Sequence, residues 1–69
     1  MKLSEALKNI RDKLSISQEQ LARDLNVSYT TLNRWENNRT LPSRLAKMRI
    51  ADYCYEKKLP QDIINIFKK

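Results

Sequence analysis

Apolar residues recur at helical spacing through most of this chain. Leu3, Leu7, Ile10 and Leu14 step by four, three and four, with Ala6 beside them and Lys8, Arg11, Asp12 and Lys13 around them. That pattern predicts a first helix over about 2–14. Ser15-Ile16-Ser17 interrupts it, and Ser17 with Gln20 has the Ser-x-x-Gln form of a capping box. Ile16 is then placed to staple onto Leu21. A short second helix, 18–25, is expected to bury Leu21, Ala22 and Leu25, the small Ala22 allowing another helix to pass close by.

After Asn26 and Val27, Ser28 supplies an N-cap oxygen for a third helix over 29–37. This stretch has two unlike faces. Leu32 and Trp35 are three apart and can bury together, with Glu36 beside them. Tyr29, Thr30, Asn33, Arg34 and Asn37 fall on the opposite, hydrogen-bonding side. A loop, 39–43, follows; Pro42 stops continuation, Leu41 is expected to plug the core, and Ser43 to cap the next helix.

The fourth helix, 44–57, carries Leu45, Met48, Ile50, Ala51, Tyr53 and Cys54. It is apolar around more than half its girth and is expected near the centre of a bundle. Tyr53 and Tyr55 read as half-buried packing residues. A last helix, 60–67, opens at Pro60. Its Ile63, Ile64, Ile66 and Phe67 are apolar on too many sides for one core. The excess either meets a second copy of the chain or covers the open end of the bundle; the dimer contact is the preferred reading.

Helix, three-residue break, helix, with a small residue in the first and an apolar one in the break, is helix-turn-helix spacing. Such a break calls for a positive φ, usually met by glycine, and this chain of 69 residues has none. Asparagine tolerates that region next best. Asn26 and Asn38 are therefore predicted to be left-handed.

Length and composition add three constraints. So short a chain holds one small domain, 1–69, and the lack of glycine with only two prolines favours an all-α fold. Fourteen Lys and Arg against eight Asp and Glu give a charge of +6, which points to a polyanion, nucleic acid before membrane. The lone Cys54 can form no internal disulfide, and Met1 to Glu5 lack the apolar run of a secretory leader, so a cytoplasmic location is expected. With no histidine, no glycine-rich phosphate loop and no metal-ligand spacing, an enzyme is the least favoured class, and no cofactor, metal or small-molecule ligand is expected.

From Ile10 to Ser43 the chain resembles the helix-turn-helix domain of the phage repressor and Cro class, the XRE-like family. The residues that carry the likeness are Ile10-Arg11, Ser17-Gln18-Glu19-Gln20-Leu21-Ala22, Leu25-Asn26-Val27-Ser28, and Leu32 through Pro42 with its Trp35-Glu36-Asn37 ending. The chain departs at Asn26 and Asn38, where the family often has glycine. The resemblance implies a five-helix, lambda-repressor-like all-α bundle whose third helix enters the major groove of DNA. It implies base contacts from Tyr29, Thr30 and Arg34, with Asn33 secondary. It further implies phosphate contacts from Ser17, Gln18, Asn37, Arg39 and Thr40. Arg44 joins that set on charge and position alone. Arg11 and Glu36 match a family ion pair, which would explain a carboxylate beside a DNA-facing helix.

The function expected is sequence-specific binding of double-stranded DNA in transcriptional regulation, as a homodimer on two-fold-related half-sites about 34 Å apart. The alternative is a protein-interaction or DNA-targeting module of a larger assembly. A steep fall of log affinity with log salt, about −0.9 per phosphate contacted, would separate the first from the second.

Overall fold

The computed structural model describes residues 1–68, and its helices lie within one residue of the expected bounds at every end. They are α1 (Leu3–Leu14), α2 (Gln18–Asp24), α3 (Tyr29–Glu36), α4 (Arg44–Glu56) and α5 (Gln61–Lys68). Ser17, Ser28 and Ser43 cap α2, α3 and α4, each hydroxyl accepting the N–H three residues on, from Gln20, Thr31 and Ala46. Each cap satisfies one of the orphan donors of a helix start. The reciprocal half of the Ser17–Gln20 box does not form. The Gln20 side chain turns away to donate to Asp24 (2.7 Å) and accept from Arg23 (3.3 Å).

The helix ends share one device. Ser15, Asn26, Asn38 and Lys58 have φ of 54°, 59°, 58° and 58°. After each, the next N–H reaches back to close the helix, as in Val27 to Ala22 (2.9 Å) and Arg39 to Arg34 (2.9 Å). The same 6→1 bond joins Ile16 to Arg11 and Leu59 to Cys54 (both 3.0 Å). The two asparagines match the expectation. Ser15 and Lys58 do the same job without an amide side chain to favour it.

A single apolar cluster joins all five helices, with Ala6, Leu7 and Ile10 of α1 fully enclosed. Around α1 pack α3 on one side and α5 on the other, while α2 packs on α3 and α4 chiefly on α5. Trp35 and Leu32 bury the inner face of α3, as their spacing predicts. Among the described residues no helix is long and apolar enough to cross a membrane.

Four expectations require correction. Leu41 does not plug the core; it is 72% exposed, and Pro42 is buried instead. Neighbouring side chains on a non-helical segment point to opposite sides, so only one of the two can face inward. The fourth helix is not central, since it buries Ile50, Ala51 and Cys54 but leaves Leu45 and Met48 exposed. It lies at the periphery, where only one face meets the bundle. Tyr55 shares that outer face and is exposed, whereas Tyr53 is half-buried. The apolar excess assigned to α5 is absorbed within the chain: Ile63, Ile64 and Phe67 are buried and Ile66 is packed at the margin. The C-terminal helix therefore offers no broad apolar surface to a second copy.

Candidate nucleic-acid interface

The helix-turn-helix unit is built from α2, the turn at Asn26-Val27-Ser28, and α3. Ala22 and Leu25 are buried where the two helices approach, and the left-handed Asn26 reverses the chain within three residues. Ser28 holds the start of α3 twice over, accepting from the Thr31 N–H at 3.0 Å and donating to the Thr31 hydroxyl at 2.8 Å. The first turn of α3 is thereby tied by two hydrogen bonds from within the chain.

Behind α3, Arg11 clamps Glu36. The guanidinium donates through Nε to Oε2 at 2.9 Å and through Nη2 to Oε1 at 2.7 Å, a bidentate pair. The Glu36 side chain is 2% exposed and that of Arg11 27% exposed, so the acid is enclosed and the base lies at its lid. The hydrogen bond to Glu36 raises the Arg11 pKa, against the opposing effect of partial burial. The pair ties α1 to the end of α3 and withdraws a negative charge from the outer surface.

A second bracket was not legible in the spacing. Asn33 donates its amide N–H to Gln18 Oε1 at 3.2 Å, and Asn37 donates to Asn33 Oδ1 and to the Asn33 carbonyl at 3.0 and 2.9 Å. This chain of amides links the first residue of α2 to the last turn of α3. Gln18 accepts through its oxygen and so keeps its NH2 group for an outside acceptor. Asn33 is engaged at both ends of its amide, which fixes its orientation and leaves one N–H and one lone pair uncommitted. The signal that could have found the bracket is the presence of amides at both α2 and α3 positions, but spacing along one helix does not reveal contacts between two.

Turned outward from this frame are Tyr29, 52% exposed, and the exposed Thr30 and Arg34. Ser17, Asn37, Arg39, Thr40 and Arg44 are exposed as well, and Gln18 is half-buried. The sequence-derived candidates for base contact thus emerge from one helix. Those for phosphate contact come from the start of α2, the end of α3 and the loop that leads to α4. Among the described residues no side chain pairs with the Arg34 guanidinium.

A further support lies on the other side of α2. Tyr53 of α4 donates its hydroxyl to Asp24 at 2.8 Å, and Lys57 lies over the Tyr53 ring at 5.6 Å. Bonds from Tyr53 and then Gln20 lower the Asp24 pKa; burial, and then the same bond to Asp24, push that of Tyr53 up. Burial alone raises the Cys54 thiol to about 11, leaving it a protonated packing group.

Residues 7–54, well over half the chain, match the family described as helix-turn-helix, of Cro/C1 type. The chain belongs to the XRE family of helix-turn-helix domains. No characterised protein and no solved structure matches it. The helix-turn-helix match ends at Cys54, so α5, which closes the core with Ile63, Ile64 and Phe67, lies beyond it. Membership in this family points to DNA binding and is not typical of enzymes.

Proposed function

We propose that this helix-turn-helix domain binds double-stranded DNA sequence-specifically and acts in cytoplasmic transcriptional regulation, with α3 lying in the major groove. The observation that carries this reading is the outer face of α3. Tyr29, Thr30 and Arg34 are exposed on a helix held from behind by the Arg11–Glu36 pair and from the side by the Gln18–Asn33–Asn37 chain. The groove accepts a helix and displays a distinct pattern of donors and acceptors for each base pair. Arg34 is the natural partner of a guanine O6/N7 edge, and Thr30 suits a thymine methyl or a polar edge. Tyr29 offers ring or hydroxyl contact. Asn33 acts first as the bracket between helices and second as a base contact.

Ser17, Gln18, Asn37, Arg39, Thr40 and Arg44 set the register by holding phosphates. Such contacts position the protein but carry no sequence information. A homodimer on two half-sites about one helical turn apart is the natural mode for such a domain.

Selection of bound duplexes from a random pool tests the assignment. Arg34→Ala is expected to erase preference at one base position, at a cost of roughly 1–3 kcal/mol. Arg39→Ala is expected to weaken all sequences alike and to lower the salt slope by about 1. Identical motifs selected with equal strength by both variants would refute the division of roles.

A further inference from the structure

Cations gather where the start of α4 meets the end of α5. Arg44, Lys47 and Met48 share one face of α4 at helical spacing, and the end of α5 sets Lys68 beside them. Together they line an open groove of about 530 Å3. Arg44, Met48 and Lys68 are exposed and Lys47 is half-buried. No Asp or Glu is among the lining residues. Two other hollows on the surface differ on that point. One along α1 sets Glu5 and Asp12 beside Lys8 and Arg11, and one between α2 and α3 sets Glu19 beside Arg23. Charges balance in both, so neither favours an anion. A cleft lined by one sign of charge focuses its field and gathers ions of the other sign.

We propose that this groove is a phosphate site that carries the DNA backbone beyond Arg44, onto Lys47 and Lys68. It rests on the DNA-binding reading above and extends its footprint. Continuity selects the occupant. Arg39 and Thr40 lead from the end of α3 through a short loop to Arg44, and the groove begins at Arg44. A backbone held along that path enters the groove without leaving the protein. The groove also offers Met48, 55% exposed, which suits the apolar edge of a deoxyribose between two phosphates. Lysine fits the task, since a compact ammonium on a flexible stem meets phosphate as a point charge. Lys47 and Lys68 therefore add affinity and extent but no base preference. A free phosphate ion offers the same chemistry, and the experiment separates the two.

Duplexes bearing the motif selected from a random pool are titrated with the full chain between about 50 and 200 mM salt. Lys47→Ala and Lys68→Ala should each make the fall of log affinity with log salt shallower by about 0.9. Roughly 3.5-fold less affinity is then lost over that range. Each should also erase ethylation interference at one phosphate and leave the selected motif unchanged. Lys57→Ala removes the same charge about 20 Å along α4 from Arg44 and should move neither readout. Lys68→Ala, at an exposed position, decides the matter even if Lys47→Ala disturbs folding.

A slope and footprint unmoved by Lys68→Ala, with the Arg34 and Arg39 effects intact, overturn this extension alone. Equal losses from Lys57→Ala overturn it as well, because overall charge would then be the cause. Inorganic phosphate that shifts the Met48 methyl resonance to saturation, where duplex leaves it in place, assigns the groove to a free anion and overturns it too. A chain that binds no duplex overturns both readings.

Discussion

Helices α3 and α4 make an instructive pair. Both start at a serine cap, and each turns one face to the bundle. Yet α3 encloses a carboxylate and shows hydrogen-bonding groups to solvent, while α4 encloses aliphatic groups and shows leucine, methionine and tyrosine to solvent. The difference lies in what faces them. Glu36 can enter the interior because Arg11 arrives from α1 with two donors in fixed geometry, and a buried charge is tolerated only when so matched. On α4 there are two apolar faces, and the bundle, chiefly α5, covers one of them. An exposed face is thus defined by what is absent opposite it as much as by its own residues.

Substitutions can sharpen that contrast, the largest effect coming from the two faces of α4. Ile50→Ala should cost about 3–4 kcal/mol in chemical denaturation, because a fully enclosed side chain leaves a cavity. Leu45→Ala in dilute solution should change stability by less than about 0.5 kcal/mol. Equal losses at the two sites would contradict the assignment of inner and outer faces.

On α3, Arg11→Ala should destabilise by about 2–3 kcal/mol, somewhat reduced because part of the guanidinium is already in solvent. For a chain this short that corresponds to a fall in Tm of roughly 10–20 °C. Pairing it with Glu36→Leu should recover much of the loss, since no orphaned charge would remain. A double variant as unstable as Arg11→Ala would show that the acid is not the source of the penalty.

Smaller effects belong to the helix ends and to the α2–α4 link. Lys58→Gly should stabilise by about 0.5 kcal/mol, the relief of left-handed strain exceeding the entropy that glycine adds to the unfolded chain. Asn26→Gly should gain less, as asparagine already tolerates the region. The smallest effect is a pH dependence of the Tyr53–Asp24 bond. The folded pKa of Asp24 is lowered, so its contribution is complete above the ordinary 3.8 and is lost as pH falls through the lowered value. The folded pKa of Tyr53 is raised, so its contribution is complete below the ordinary 10.0 and is lost as pH rises through the raised value. Thermal melts of Tyr53→Phe should lack the alkaline slope and keep a reduced acid one, because Gln20 still holds Asp24.

Much of the candidate site was readable from residue order because its parts are local. The Ser28 cap, the outward set of Tyr29, Thr30 and Arg34, and the left-handed Asn26 and Asn38 each depend on neighbours within one or two turns. The Arg11–Glu36 pair spans the chain and was expected only through resemblance to a known family. The Gln18–Asn33–Asn37 bracket went unread, because amide side chains take many partners and spacing does not choose among them.

Five helices, three serine caps and the two asparagine terminators follow from the amino-acid sequence by itself, since backbone propensity, apolar period and tolerance for positive φ act over a few residues; the left-handed Ser15 and Lys58 do not. Tertiary structure alone decided that Pro42 rather than Leu41 turns inward, that α5 buries its isoleucines within the chain, and that α4 lies at the edge with an apolar stripe uncovered. Each is a choice between faces of similar polarity, and only the shape of the facing neighbours breaks that tie.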